Sequence, residues 1–173
     1  MPDSLKSIMT FPKTLVAEDD PNDALLLHFA FKRAGVDATI HFVSDGVEAI
    51  DYLRGKQLFE KVASSTLPGM FLLDLEMPRL SGFGVLEWLR KHPHLRPYRV
   101  VVLSSSQNEQ DFERALAMGA DLCLPKTCDP TELGQTIKIL EDCFHGRHLQ
   151  QLELAETLQA QEIPFVGSVA QAG

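Results

Sequence analysis

The sequence predicts an α/β domain built on a parallel sheet, and three observations carry that prediction. Short apolar runs alternate with amphipathic segments along most of the 173 residues, the pattern of buried strands joined by crossover helices. Four of the runs end in a polar residue able to handle phosphate or metal. Leu15-Val16-Ala17 runs into Glu18-Asp19-Asp20, Met70-Phe71-Leu72-Leu73 ends at Asp74, Val100-Val101-Val102-Leu103 ends at Ser104, and Leu122-Cys123-Leu124-Pro125 ends at Lys126. Several helical segments also open on a capping signal. In a parallel α/β sheet the strand ends converge on one edge, and ligands bind in the crevice outside them.

Each element has its own justification. Residues 13–17 form a first strand, and Asp20-Pro21-Asn22-Asp23 supplies an N-cap, a proline at N1 and an acid at N3 for a helix to Ala34, which Gly35 ends. A second strand covers 39–43, and a short helix covers 46–53 with Val47, Ile50 and Leu53 facing inward. Residues 55–68 make a long connection with apolar positions at Leu58, Phe59 and Val62, enough for one helical turn. The third strand is 70–74, and Ser81 caps a helix that buries Val85, Leu86 and Leu89. The fourth strand is 99–104, with Ser106-Gln107-Asn108-Glu109 as a capping box for a helix burying Phe112, Ala115 and Leu116. The fifth is 121–124, and Asp129-Pro130-Thr131-Glu132 caps a last helix with Leu133, Ile137, Leu140 and Phe144 on one face. These five βα units place the domain at 13–145. Residues 146–173 form a helical extension with Leu149, Leu152, Ala155 and Leu158 at helical spacing, then Ile163-Pro164-Phe165-Val166 and a small-residue tail expected to be flexible.

Composition excludes several classes. With 45% hydrophobic and 23% charged residues the chain is globular, and no apolar stretch reaches the length of a membrane span. Residues 1–12 carry no signal-like apolar core, so a cytoplasmic location is expected. A net charge of -8 opposes binding to nucleic acid. Cys123, Cys128 and Cys143 are odd in number and form no Cys-x-x-Cys pair, which indicates neither a disulfide framework nor a zinc knuckle. Trp88 reads as packing, and the cysteines as small buried residues. Asp20 reads as a helix cap rather than a ligand.

Glu18, Asp19, Asp74, Ser104 and Lys126, each at a strand end, resemble as a set the receiver domain of two-component response regulators, across Thr14 to about Phe144. The intervals from Asp74 to Ser104 and Lys126 match that family, as does Asp74-x-x-Met77-Pro78-x-x-Ser81-Gly82. The Glu-Asp-Asp-Pro-Asn-Asp start, the long loop before the third strand and Tyr52-Leu53-Arg54 are similar to the single-domain regulators often paired with phytochrome-type histidine kinases.

The resemblance implies a doubly wound, flavodoxin-like five-stranded sheet of order 2-1-3-4-5. It implies that Asp74 accepts a phosphoryl group from a phosphohistidine of a sensor kinase, with Ser104 and Lys126 contacting phosphoryl oxygens. It implies a Mg²⁺ ion held by Glu18, Asp19, Asp74 and the backbone carbonyl of Glu76, since hard oxygen ligands suit that cation and a bare carboxylate would repel the incoming phosphoryl group. The protein would be a phosphotransfer substrate and regulator rather than an enzyme, with slow self-dephosphorylation, acting through protein–protein contacts. No nucleotide-binding Gly-rich Lys-Ser/Thr loop is present, so the phosphoryl donor comes from elsewhere.

Two departures stand out: Thr127 follows Lys126 where the family usually has proline, often cis, and Cys123 occupies a position where many receivers carry an aromatic ring that swings inward. Two other readings stay open, a pseudo-receiver adaptor without phosphate turnover and a Mg²⁺-dependent aspartyl-nucleophile phosphatase. The latter needs a second Asp where Glu76 stands. An apolar stripe on the extension, together with the helix 109–118, strand 121–124 and helix 131–144, is expected to form the output surface and a two-fold homodimer.

Overall fold

Asp20 begins the fold's first helix by a mechanism visible in its geometry. Its backbone is extended and its carboxylate accepts hydrogen bonds from the Asn22 amide at 2.7 Å and the Asp23 amide at 3.2 Å, satisfying donors that a helix start leaves open. The computed structural model describes residues 14–35, 40–55, 68–97, 99–105, 108–145 and 151–167. In chain order these are β1 (Thr14–Ala17), α1 (Pro21–Arg33), β2 (Ile40–Val43), α2 (Gly46–Leu53), β3 (Met70–Leu73), α3 (Gly82–Lys91), β4 (Arg99–Ser104), α4 (Glu109–Ala117), β5 (Leu122–Pro125), α5 (Pro130–His145), α6 (Gln151–Ala160) and β6 (Val166–Gly167), with a 3₁₀ turn at Pro93–Leu95.

The sheet has the order β2-β1-β3-β4-β5-β6, the first five strands parallel and the sixth antiparallel to β5. Alternate residues of each strand enter two separate cores. Leu15, Phe71, Leu73, Val100, Val102 and Cys123 pack under α2, α3 and α4. Val16, Leu72, Val101, Leu103, Leu122 and Leu124 pack under α1 and α5. Apolar residues on both faces are what make the strands read as continuous apolar runs. No helix among the described residues is long and apolar enough to cross a membrane.

Several details differ from the sequence-based expectation. Val47 is 37% exposed, and α2 turns Ala49, Ile50 and Leu53 inward instead. Asn108, rather than Ser106, caps α4, its side chain accepting from the Gln110 amide at 3.1 Å, while Ser106 and Gln107 lie outside the described residues. Ser81 and Asp129 cap α3 and α5 as expected. The possible helical turn at Leu58, Phe59 and Val62 lies outside the described residues, as does Leu149.

The extension folds back on its own domain. Leu158 is fully buried and Ile163 nearly so, both in the α1–α5 core, with Leu154 and Phe165 packed against them. Leu122 then pairs with Gly167 and Cys123 with Val166, which adds a strand to the sheet. The stripe that was expected to favour a partner is therefore covered, at Leu158, by the same chain. An apolar residue that can reach its own core removes surface from water without the entropy cost of association.

Candidate functional site

Backbone hydrogen bonds to the neighbouring strand continue to Glu18, Asp74 and Lys126, each one residue past its own strand. The Glu18 amide donates to the Val43 carbonyl at 3.0 Å, the Asp74 amide to Ala17 at 3.1 Å, and the Lys126 amide to Ser104 at 2.9 Å. Register alone therefore sets the side chains of residues far apart in sequence beside one another. Glu18, Asp74 and Ser104 are buried, while Asp19 is exposed.

Three carboxylates, those of Glu18, Asp19 and Asp74, offer oxygen atoms that all lie within 4.8 Å of one another. This donor set suits a hard divalent cation, which takes carboxylate oxygens and retains water. Lys126 closes the other side. Its ammonium lies 2.7 Å from Glu18 Oε2, 3.0 Å from Asp74 Oδ2 and 3.0 Å from Asp23 Oδ2. The second oxygen of each buried acid accepts from backbone: Glu18 Oε1 from the Asp20 amide at 3.1 Å and Asp74 Oδ1 from the Glu76 amide at 3.2 Å.

Burial pushes the Glu18 carboxyl above its ordinary range, with Lys126 opposing and the Asp74 charge adding to the rise. Burial works against the Lys126 charge too, yet its hydrogen bonds to Glu18, Asp74 and Asp23 outweigh it and hold the ammonium above its ordinary value. The two members of this pair thus shift in the same direction for different reasons, and Lys126 is a cation throughout the physiological range.

The loop from Leu75 to Ser81 is fixed at two places, at its own base and at the start of α2. The Gly82 amide donates to the Leu75 carbonyl at 3.0 Å, and a Cβ at Gly82 would lie 2.2 Å from the Asp74 carbonyl oxygen and 2.8 Å from Leu75 Cα. Only glycine permits that approach. Further along, Arg79 takes a left-handed backbone (φ 61°) and its guanidinium reaches the buried Asp45, the cap of α2, with Arg79 Nε 2.6 Å from Asp45 Oδ2. The Gly46 amide donates to the Leu80 carbonyl at 3.1 Å. This loop carries Glu76, whose carbonyl the sequence reading assigned as a metal ligand.

Two placements around the candidate site were not foreseen. Asp23 has the ordinary sequence signature of an N3 helix acid, and nothing in the sequence reveals that α1 brings it to Lys126, 103 positions away. Asp45 could have been found from the Ser44-Asp45-Gly46 run before a helix, but its pairing with Arg79 depends on tertiary structure.

Residues 14–138 match the family model of the response regulator receiver domain. The chain belongs to that family. The probable methanogenesis regulatory protein FilR2 of Methanothrix harundinacea is 33% identical over 132 residues, 76% of this chain and 83% of that protein. The phosphorylated cyanobacterial phytochrome response regulator RcpA is similar in structure with a TM-score of 0.69 at 30% identity, over 79% of this chain and 96% of that one. The Mn²⁺-bound form of response regulator Rcp1 gives 0.65 at 27% identity, over 76% of this chain and 92% of that one. The fold expected from the resemblance is therefore the fold observed, with β6 added.

The receiver's two departures have structural outcomes. No cis peptide bond occurs among the described residues, so the Lys126–Thr127 bond is trans, as expected when proline is absent. Thr127 instead donates its hydroxyl to Glu132 at 2.9 Å and accepts from the Asp129 amide at 3.2 Å, bracing the entry to α5. Cys123 is fully buried in the α4 core, its Sγ 3.7 Å from the Phe112 carbonyl, and burial pushes its thiol up to about 12.

Proposed function

We infer that this receiver accepts a phosphoryl group on Asp74 from the phosphohistidine of a sensor kinase. The observation that carries this reading is the acceptor's placement: a buried carboxylate with the Lys126 ammonium at 3.0 Å and two further acids within cation-sharing distance. In the transfer, the P–N bond of the phosphohistidine breaks as an Asp74 oxygen bonds to phosphorus, and the departing imidazole takes up a proton. Lys126 neutralises charge on the phosphoryl oxygens, and Ser104 is assigned to donate its hydroxyl to another. Glu18, Asp19, Asp74 and the Glu76 carbonyl are assigned to Mg²⁺, which when bound supplies the charge neutralisation that lets one anion approach another. The existence of a Mn²⁺-bound form of the similar regulator Rcp1 supports a divalent cation in this reading.

The donor is proposed to be a phytochrome-type histidine kinase, supported by the likeness to RcpA, and the chain is proposed to act in the cytoplasm as a regulator without enzymatic turnover of its own. Its message would pass through the face of α4, β5 and α5. A homodimer on that face would have to form over β6, which occupies the β5 edge. Light scattering on the whole chain and on residues 1–145 tests this, since a monomer in both cases removes the dimer.

The central test is phosphorylation by acetyl phosphate with Mg²⁺, read as a mobility shift in a phosphate-affinity gel. The parent should shift and Asp74→Asn should not. A shift that survives in Asp74→Asn removes Asp74 as acceptor. No shift in the parent with any donor, together with no Mg²⁺ binding, favours the pseudo-receiver.

A further inference from the structure

Lys126 carries one positive charge and touches three carboxylates, but only two of them belong to the acid triad. Glu18 and Asp74 each offer an oxygen to the shared cation position. Asp23 does not. It stands on the first turn of α1, 41% of its side chain exposed, with its amide bonded to Asp20 and its carboxylate 3.0 Å from the Lys126 ammonium. Loading the triad with a divalent cation draws electron density from Glu18 and Asp74, which weakens their hold on Lys126. Asp23 is the partner that keeps its full charge for the lysine.

We propose that Asp23 is a positioning residue for phosphoryl acceptance, tethering Lys126 before a phosphoryl group arrives and competing with the phosphoryl oxygens for it. The proposal rests on the assignment of Asp74 as acceptor. The ammonium has three N–H donors and three carboxylate partners, so a phosphoryl oxygen gains it only by displacing or sharing one of those contacts, and the Asp23 charge adds to the cost of that exchange. An anion beside Asp74 also feels the Asp23 charge directly, and so does a cation, with the opposite sign. Removing that charge should therefore strengthen anion binding and weaken cation binding. A purely structural role for Asp23 as an N3 acid would move stability and leave this pair of opposed changes absent.

The test measures two affinities by titration calorimetry on the whole chain: Mg²⁺ alone, and beryllofluoride, a phosphoryl mimic, at saturating Mg²⁺. In Asp23→Asn and in Asp23→Ser the beryllofluoride affinity should rise by on the order of threefold to tenfold, the size of a charge interaction near a protein surface, while Mg²⁺ affinity falls. Asp23→Glu, which keeps the charge, should restore both toward the parent. Unchanged or weakened beryllofluoride binding in both neutral variants, with parent-like thermal unfolding, overturns the proposal. If the parent itself binds beryllofluoride and Asp74→Asn binds it equally well, the acceptor assignment fails, and this proposal with it. That result differs from a failure confined to the Asp23 variants.

Discussion

Burial lifts the Glu18 carboxyl even with the Lys126 ammonium at 2.7 Å, because removing a carboxylate from water is costlier than one shared cation can offset. An acid whose folded pKa is raised binds its proton more tightly in the folded state. It therefore favours folding below its unfolded value, ordinarily 4.5, and that contribution is lost as pH rises through the folded value. The metal-free protein should accordingly become less stable from acid pH toward neutrality through this group, and Glu18→Gln should flatten that part of the profile in urea unfolding while abolishing tight Mg²⁺ binding. An equally steep profile in Glu18→Gln would show that another group is responsible. Asp19, exposed at the rim, should act mainly on the cation: Asp19→Asn should weaken Mg²⁺ binding with little change in unfolding midpoint. Legibility divides along the same line. Glu18, Asp74, Ser104 and Lys126 could be read from sequence because each ends an apolar run, and Asp19 because it follows Glu18 directly. Asp23 could not, because its neighbours account for it fully as a helix acid and no local pattern measures the distance between α1 and β5.

At the scale of elements, the loop after Asp74 is sensitive to a single change. Gly82→Ala would push a methyl group onto the Asp74 carbonyl oxygen, and the backbone, unlike a flexible side chain, cannot swing aside. A loss of about 2 kcal/mol or more in unfolding free energy is expected, within the range for overpacked core positions, with Mg²⁺ affinity reduced along with it. Parent-like values for both would show that the loop has more play than its contacts indicate. The β5 element makes a contrasting case: Cys123 is fully buried with its thiol pushed up to about 12, whereas Cys128 is exposed. A thiol reagent at neutral pH should label Cys128 and spare Cys123 until the protein unfolds. The strands and capped helices were readable because period and cap chemistry are local properties. Val47 was misplaced because an eight-residue helix holds too few turns to define its inner face. The two-residue β6 has no period at all, and its pairing is specified only by the β5 edge it meets.

For the whole molecule, the extension covers part of the β5 edge with a two-residue antiparallel strand and returns apolar side chains to the core. Leu158 and Ile163 are buried in the α1–α5 core, each contributing roughly 1.5 to 3 kcal/mol as an upper bound, so residues 1–145 alone should unfold at distinctly lower urea concentration than the full chain. Equal midpoints would mean that the extension rests on the domain without stabilising it. The strand order has a further consequence, in the time taken to make the chain. Lys126 lies 52 residues beyond Asp74 and 103 beyond Asp23, so a growing polypeptide has synthesised all four acids of this edge before the lysine that balances them exists. Domains form as units during synthesis, as their parts become available. Until β5 is complete, the acids at the edge repel one another with no compensating charge from Lys126, and the nascent domain depends on its apolar cores, or on a cation from solution, to hold that edge together.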